Sequence, residues 1–341
     1  MKTAYLEAKT MKATFQQLKL TFGGDLTVNY KEFILKVDSD FGKGVIKGVP
    51  LQDGISYLEF NMVFSHDLVL SINTPDKNPI YFTYCSKGQL GHSFGQTGEK
   101  RILESFQTGI LTSRKAEANI LYFKKNVPLN TTLISVQTSG TSQSDSNGLK
   151  AELRETFFAN STADNFVYIG SHNLKISEKI EQLNAITQEG LVRSLLVQGL
   201  VHVILALEIQ QHSDDLNNRK ENTGSLTVTE METLKEVSRF VNDNSESQIT
   251  ITQLYNQFGL SPSKLQEGFK LMHGHTVTEY IREVRIKKAE VLLKRTDMNI
   301  SEVVYTIGLT SRSYFSKIFK EKYNCSPKDY KFAQRDMAIS A

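Results

Sequence analysis

The sequence predicts an α+β protein whose N-terminal part is an all-β barrel or sandwich and whose C-terminal part is all-α. Between residues 18 and 137, short apolar runs rich in β-branched and aromatic residues alternate with turn residues, which is typical of strands. No helical pattern separates these runs, so they favour one barrel or sandwich. After Thr250 the apolar residues recur at helical spacing, and one pattern of helix, turn and helix occurs twice.

Apolar runs supply the predicted strands of the first region. They are Phe33–Val37, Ile55–Phe64, Leu68–Ile72, Ile80–Tyr84, Ile110–Thr112, Ile120–Phe123 and Thr132–Val136. Clusters such as Asn73–Asp76 and Asn126–Pro128 predict turns between them. We assign residues 1–175 to this β-rich domain. Within it we expect Thr138–Gly148 to be a mobile loop, because this polar stretch has too little apolar surface to pack.

Segment 176–212 changes to helical periodicity. Its apolar positions are Leu183, Ile186, Leu191, Leu195, Leu196, Leu200, Val203, Ile204 and Leu207. This wide stripe has two interpretations, a helical pair packed on the β-domain and an interface between two copies of the chain, and both can hold. The polar stretch 213–226 then predicts a linker. Residues 227–336 form the C-terminal domain, which opens with a helix over about Glu230–Asn242.

Capping residues mark the first copy of the repeated pattern. Thr250 with Gln253 is a capping-box signature at the start of a helix. Gly259 ends that helix, because a residue past a helix end often needs a positive φ. Ser261 then predicts the N-cap of the next helix and Pro262 its first position.

The second copy repeats this order of signals. Asn299 and Glu302 predict the cap pair, Gly308 the turn, and Thr310 the N-cap of the final helix. Helical spacing predicts that an apolar stripe of each second helix is buried. Those inward residues are Leu265, Phe269 and Met272 in the first copy and Phe315, Ile318 and Phe319 in the second.

Removing the buried positions leaves an outward face on each second helix. We predict that the outward side chains contact a partner: Ser263, Lys264, Gln266, Glu267, Lys270, Arg312, Ser313, Lys317 and Lys320. Such hydrogen-bonding and cationic groups suit base edges and phosphates in the major groove of double-stranded DNA. Residues 250–341 hold 15 lysines and arginines against 9 aspartates and glutamates, whereas the whole chain carries only +3. The positive charge is therefore concentrated on the double motif.

This region resembles the DNA-binding domain of the AraC/XylS family of bacterial transcription regulators. The resemblance covers about a third of the chain, in the segments Ile249–Thr250, Gly259–Pro262, Glu279–Ile281, Arg285–Ala289, Ile300–Val303, Gly308–Leu309, Ser313–Lys320 and Ser326–Tyr330. It implies that one long helix, at about 277–294, holds two helix-turn-helix units. Their second helices would then enter successive major grooves roughly 34 Å apart.

The resemblance also implies which residues contact bases. Carried over by position, they are Ser263, Gln266 and Glu267 on the first unit and Arg312, Ser313 and Lys317 on the second. Glu267 departs from the basic or polar residue of many relatives, and it either accepts from a cytosine amino group or repels phosphate. Gly268 costs a helix roughly 1 kcal/mol against alanine. We therefore expect the first recognition helix to bind DNA less strongly than the second.

For the whole chain the resemblance implies a transcription regulator that binds double-stranded DNA. From the apolar stripe of 176–212 we expect a homodimer. Activation is the commoner mode in the family. The N-terminal domain would be a cupin-like barrel that binds a small-molecule effector, and RNA polymerase is a further candidate partner. Two alternatives stay open: a DNA-bound scaffold whose N-terminal half binds protein, and a β-domain that binds a metal or acts as an enzyme.

Cysteine usage and hydropathy bear on the compartment. Cys85 and Cys325 lie far apart, so we expect two free thiols in a reducing environment. Charged and polar residues interrupt the first 20 positions, so we expect no signal peptide. We also expect no membrane segment, because no apolar run approaches the length of about 18 residues that spans a bilayer.

Three further patterns resemble catalytic or ligand-binding motifs, but each lacks a part that the motif requires. Gly91–Gly95 matches the G-x-S-x-G pattern of a nucleophile elbow, but the residues after it predict a turn, so we expect a Gly-rich β-turn. His66 and His92 have no second histidine at ligand spacing, so we expect no metal. Phe41–Gly44 lacks the rest of a phosphate-binding loop. We therefore predict no cofactor, no catalytic residues and no enzymatic activity.

Overall fold

The computed structural model describes residues 2–7, 10–73, 79–113, 115, 117–138, 148–159, 164–217 and 225–332. The chain divides into two compact units, Met1–Thr223 and Gly224–Ala341. The N-terminal unit is mainly β-sheet and the C-terminal unit is helical, which confirms the predicted fold class. Parts of the predicted loop (139–147), of the predicted linker (218–224) and of the C-terminal domain (333–336) lie outside the described residues.

Two sheets form the N-terminal unit. The first contains β1 (Lys2–Glu7), β6 (Leu68–Asn73), β8 (Gln89–Phe94), β9 (Arg101–Glu104) and β11 (Asn119–Phe123). Its order is β1-β6-β11-β8-β9, and only β1 and β6 are parallel. The second contains β2 (Asp25–Asn29), β3 (Glu32–Ser39), β4 (Gly42–Pro50), β5 (Ile55–Phe64), β7 (Ile80–Lys87), β10 (Gln107–Ser113), β12 (Pro128–Val136) and β13 (Asn165–His172). Its order is β13-β10-β7-β12-β5-β4-β3-β2, antiparallel throughout.

Both sheets face one apolar core. Alternate residues of each strand point into it, as expected for a period of two, and Leu70 of β6 and Phe60 of β5 are both fully buried there. The ring of Phe123 on β11 lies 5.6 Å from Phe60 and 4.9 Å from Phe64 on β5. Every predicted apolar run lies within a strand of this structure.

A helix at residues Met11–Phe22 was not predicted, and neither was the short helix at Leu149–Arg154. Helix α1 (Met11–Phe22) follows β1, and Thr10 caps it by accepting from the Ala13 amide at 3.2 Å. Phe15, Leu18 and Phe22 are fully buried in the core between the sheets. Their spacing of three and four residues is a helical signal. This helix precedes the first predicted strand, and among the described residues no helix separates the predicted runs between Phe33 and Val136.

The expected turn at Gly91–Gly95 is also wrong for most of its length. Gly91–Phe94 belongs to β8, where Gly91 pairs with Tyr122 of β11, and the turn begins only at Gly95. The buried hydroxyl of Ser93 donates to the Gly95 carbonyl at 3.1 Å and lies 3.0 Å from the Tyr122 hydroxyl. A turn rather than a helix follows Gly95, so this serine is not lifted as in a nucleophile elbow.

Helices cover the second face of the eight-stranded sheet. They are α2 (Leu149–Arg154) with a π-helical turn at Glu155–Ala159, α3 (Leu174–Asn184) and α4 (Gly190–Asn217). The ring of Phe157 lies 5.7 Å from Phe82 of β7 and 5.1 Å from His212 of α4. The Asn184 side chain at the end of α3 donates to Glu59 of β5 at 3.0 Å. The apolar stripe of 176–212 is thus partly explained by packing on the sheet.

Helix α4 continues to Asn217, beyond the predicted end of the helical segment at 212. The carboxylate of Asp215 accepts from both the amide and the hydroxyl of Ser171 on β13, at 2.8 Å each, and from the Tyr168 hydroxyl. These bonds fasten the last turns of the helix to the sheet. Residues 213–217 therefore belong to the helix rather than to the predicted linker.

Among the described residues, α4 is long and apolar enough to cross a membrane by length and composition. The sequence prediction considered only uninterrupted apolar runs, and Arg193 with a few polar residues interrupts this one without bringing its mean hydropathy below that of membrane spans. Packing supplies another reason for the apolar composition, since Val197, Val201 and Ile204 are buried on one side of the helix.

Besides a short helical segment at 327–332, the C-terminal unit contains six helices within the described residues. They are α5 (Val228–Asp243), α6 (Ile251–Phe258), α7 (Pro262–His273), α8 (Val277–Arg295), α9 (Ile300–Thr306) and α10 (Arg312–Tyr323). Thr250, Ser261 and Asn299 are N-caps, as predicted. The predicted N-cap at Thr310 is wrong by one residue, because Ser311 accepts from the Tyr314 amide at 3.2 Å and α10 begins at Arg312.

Candidate nucleic-acid interface

Two helix-turn-helix units, α6–α7 and α9–α10, make up the candidate interface. Gly259 ends α6 in the left-handed region with φ of 73°. Gly308 turns the chain after α9, also with φ of 73°, and a Cβ there would lie 2.1 Å from the Glu246 carbonyl oxygen. A side chain at Gly308 is therefore excluded both by backbone conformation and by close approach.

Helix α8 joins the two units. It has 19 residues, which corresponds to a length of about 28 Å. Thr276 and Glu279 form a reciprocal capping box at its start, and the helix ends one residue beyond the predicted Lys294. Its residues Ile286 and Leu293 share one apolar core with Phe315 and Phe319 of α10 and with residues of α9. The second unit is therefore fixed to α8 by apolar packing.

The outward face of α10 is open to solvent. Ser313, Lys317 and Lys320 follow i, i+4 and i+7 spacing, which puts them on one side of the helix, opposite the buried Phe315 and Phe319. Arg312 is exposed at the first helical position. Within the part of the chain that the structure describes, the side chains of Arg312, Ser313, Lys317 and Lys320 have no hydrogen-bond or ion-pair partner. All four are therefore available to an external ligand.

Sequence comparison agrees with this geometry. Residues 254–332 match a protein family described as a helix-turn-helix domain. The chain is 26% identical over 154 residues to the HTH-type transcriptional activator RhaS of Mannheimia succiniciproducens, covering 45% of this chain and 53% of that protein.

The chain carries an AraC/XylS-type DNA-binding domain.

Other similar proteins share mainly this domain. Histidine kinase P4 of Formosa agariphila is 35% identical over 98 residues, which is 28% of this chain and 7% of that one. A crystal structure of the AdpA DNA-binding domain with target DNA has 21% identity and a TM-score of 0.31, covering 32% of this chain and 98% of that chain. The chain thus spans about half of RhaS and a small fraction of the kinase.

On α7 of the AraC/XylS-type domain, the predicted contact residues divide into two groups. Ser263 and Lys270 are exposed. Gln266 accepts from the Val277 amide at 3.3 Å, and Glu267 accepts from the amide and the hydroxyl of Ser225, both at 2.6 Å. Lys264 donates to the Ser225 carbonyl and lies 3.1 Å from a carboxylate oxygen of Glu230. The outward side of α7 is therefore partly engaged within the domain, unlike that of α10.

Gly268 has a role that helix propensity does not indicate. It is buried on α7, and a Cβ there would lie 2.1 Å from Cδ1 and 2.8 Å from Cγ of Leu234 on α5. Leu234 is itself buried in the domain. The glycine thus permits the close approach of α5 and α7, and its low helix propensity is offset by packing.

Polar contacts attach α8 to the α5–α6 connection and to Tyr323 and Tyr330 near the end of the domain. Arg285 donates to the carbonyls of Ser245 and Ser247, each at 2.7 Å, and so ties the α5–α6 connection to the helix. Glu290 accepts from Lys294 at 2.6 Å and from the hydroxyls of Tyr323 and Tyr330. The Lys294 ammonium and the two hydroxyls lower the pKa of Glu290 to about 2.

Sequence reasoning found few of these anchors. The spacing of Glu290 and Lys294 at i and i+4 is visible in the sequence. The contacts of Arg285 with Ser245 and of Glu267 with Ser225 join residues about 40 positions apart. No local pattern signals such partners.

The histidines considered for a metal lie in the N-terminal unit. His66 is exposed, whereas His92 is fully buried with its Nε2 3.2 Å from Asn119 Oδ1. Burial lowers the pKa of His92 to about 4. Among the described residues, no group of three or more His, Cys, Asp or Glu side chains is arranged to hold a metal ion.

We predict that Gly268→Ala destabilises the C-terminal unit by about 1–3 kcal/mol, because the methyl group overlaps Leu234. Helix propensity alone predicts the opposite, a gain of up to about 1 kcal/mol. Urea unfolding followed by circular dichroism measures the change. In a Leu234→Ala background the added methyl group has space, so Gly268→Ala should cost less there. A gain in stability in the wild-type background would contradict the close-packing account.

Proposed function

We propose that this chain is a sequence-specific regulator of transcription that binds double-stranded DNA through the outward sides of α7 and α10. The open face of α10 is the observation that carries the proposal. Arg312, Ser313, Lys317 and Lys320 are exposed there without partners among the described residues, on a rigid helix that α8 holds by a shared core. Such preorganised cationic and hydroxyl groups match the acceptors of base edges and phosphates.

The four α10 residues divide between base and backbone contacts. Arg312 and Ser313 lie in the first turn, the part of a recognition helix that contacts base edges. A guanidinium such as that of Arg312 pairs with the two acceptors of a guanine. Lys320 lies two turns further along, toward the C-terminal end of α10, where phosphate contact is favoured. We assign sequence discrimination to Arg312, Ser313 and Lys317 and affinity to Lys320.

Helix α7 contributes less to this surface. Ser263 and Lys270 face outward, whereas Lys264, Gln266 and Glu267 are engaged within the domain. We propose that α7 contacts the adjacent major groove mainly through the two exposed residues. This agrees with the expectation that the first recognition helix binds DNA less strongly, but the reason is internal contacts rather than the glycine at 268.

The regulator would act where the bacterial chromosome lies, in the cytoplasm. Activation is the mode we propose, because it is common in the family that the domain belongs to, and it would involve contact with RNA polymerase. The N-terminal unit would bind the regulatory effector and would form the interface with a second copy of the chain.

A cavity supports effector binding by the N-terminal unit. It has a volume of about 440 Å³ and lies between the β2–β3 hairpin and the first turns of α4. Arg193 and Glu32 form a bidentate ion pair in its wall, at 2.6 and 2.9 Å, and Ile34, Val49 and Val197 supply apolar surface. This volume is in the range of small-molecule sites, about 300–1,000 Å³. We predict that the effector raises the melting temperature of the wild type but not of Ser194→Trp, because the indole fills the cavity. Thermal melting with a set of metabolites measures this effect. If no metabolite distinguishes the two proteins, this cavity is not the effector site.

The exposed side of α4 supports a homodimer. Leu191, Val192, Leu195, Leu196 and Val203 are between 42% and 68% exposed on one side of the helix. Gly199 lies among them, and a Cβ there would have nothing within 4 Å, so a second helix can approach closely. Apolar patches of this kind mark association surfaces. Because α4 also lines the cavity, an effector would act directly on the helix that pairs the two copies.

We predict that Arg312→Ala weakens binding to the preferred sequence by about 1–3 kcal/mol and relaxes the preference at one base pair. Lys320→Ala should weaken binding to all sequences alike. It should also reduce the salt slope, the slope of log binding constant against log salt concentration, by about 0.9 in magnitude. Fluorescence anisotropy with matched and single-substitution duplexes at several salt concentrations separates the two effects. An equal loss on every duplex for Arg312→Ala would make it a phosphate contact, and an unchanged slope would remove Lys320 from the interface.

We predict that Leu195→Glu converts the dimer to monomers, because a buried charge without a partner weakens association at least about a hundredfold. Sedimentation velocity of the full chain measures the oligomeric state. Leu20→Glu is the matched control, since Leu20 is an 87% exposed leucine on a different helix, α1, and it should leave the dimer intact. A monomeric wild type, or a dimeric Leu195→Glu variant, would contradict the assignment.

A further inference from the structure

The segment that enters the C-terminal unit is bound to the first recognition helix. The amide and the hydroxyl of Ser225 donate to the two carboxylate oxygens of Glu267, both at 2.6 Å. The Ser225 carbonyl accepts from Lys264. All three polar groups of this one residue are therefore held by α7, and we call the arrangement of Ser225, Lys264 and Glu267 the Ser225 clamp.

The clamp lies on the side of α7 that faces away from the domain core. Leu265, Phe269 and Met272 mark the buried side. Glu267 follows Ser263 by four residues and precedes Lys270 by three, so these three lie on one stripe opposite the buried side. Ser225 is therefore bound to the middle of the stripe that a recognition helix presents to the major groove.

The clamp engages two charged side chains of the proposed DNA surface, Lys264 and Glu267. The Lys264 ammonium is drawn to the Ser225 carbonyl and to the Glu230 carboxylate, 3.1 Å away, instead of being free for a phosphate. The Ser225 hydroxyl and amide stabilise the ionised Glu267 and lower its pKa. A closed clamp thus keeps one cation away from DNA and holds a chain segment on the helix face.

The clamp is also connected to the regulatory half of the chain. Residues 218–224 are the stretch of sequence between Asn217, the last residue of α4, and Ser225. Seven residues span at most about 25 Å when extended. Only seven residues of sequence therefore separate the last residue of α4 from the clamp.

We infer that the Ser225 clamp is an autoinhibitory contact that competes with DNA for the outward side of α7. This inference rests on the proposed function, since it concerns the same DNA surface. Release of the clamp removes the Ser225 carbonyl from Lys264, whose ammonium then exchanges Glu230 for a phosphate, and it uncovers Glu267 for a base edge. A signal in the N-terminal unit would then change DNA affinity by shifting the population of open and closed clamps.

Substitutions at Ser225 test the clamp without altering any side chain of the DNA surface. Ser225→Pro removes both donors to Glu267, Ser225→Ala removes one, and Ser225→Thr keeps both. The full chain is titrated with a duplex that the wild type has recovered from a random-sequence library. We expect Ser225→Pro to bind about three- to tenfold more tightly, with a salt slope steeper by about 0.9 because one phosphate contact is added. Ser225→Ala should lie between, and Ser225→Thr should match the wild type.

A second substitution assigns the gain to Lys264. In a Lys264→Ala background, Ser225→Pro should no longer steepen the salt slope. Hydrogen exchange of the wild-type Ser225 amide gives an independent readout, with protection in the free protein and faster exchange in the DNA complex. Thermal melting verifies that each variant is folded.

The outcomes separate the two proposals. If the wild type recovers a sequence motif but Ser225→Pro binds it no more tightly, or if the Ser225 amide exchanges at one rate with and without DNA, the clamp is overturned and the proposed function stands. If the wild type recovers no motif, the proposed function fails and the clamp inference fails with it.

Discussion

The proposed DNA surface of the C-terminal unit depends on the apolar packing of α8. Ile286, Ala289 and Leu293 share one core with α9 and α10, so the second recognition helix has a fixed direction relative to the long helix. Arg285 fixes the α5–α6 connection to the same helix through two backbone carbonyls. Because both helix-turn-helix units are held by α8, their spacing is a property of the fold and not of the DNA.

The N-terminal unit is organised by a helix with two different sides. One side of α4 is buried on the sheet, at Val201 and Ile204, and Asp215 fastens its end to β13. The other side exposes apolar residues such as Leu191 and Leu195. The first turns also line the cavity next to the β2–β3 hairpin. The proposed effector site and the proposed pairing surface therefore lie on one element, and seven residues of sequence separate its last residue, Asn217, from Ser225.

How much could be predicted from the sequence differs between local and long-range features. Helix caps such as Asn299 with Glu302 are local, and they placed the C-terminal helices to within a residue or two. Strand β8 was predicted to be a turn because Gly91 and Gly95 are turn residues, whereas α1 was missed although Phe15, Leu18 and Phe22 follow helical spacing. The roles of Gly268 and Glu267 could not be predicted, since each depends on a partner, Leu234 or Ser225, that only the fold brings close.

Selection of DNA fragments by the full chain from a random-sequence library, at physiological salt, tests the central claim most directly. A rigid α8 with two recognition helices predicts one motif with two half-elements about 10 base pairs apart, one turn of the duplex. The element bound by α10 should be the more strongly specified, because its outward side chains are open and those of α7 are partly engaged. A single half-element, or enrichment without any motif, would contradict the account of a double recognition surface.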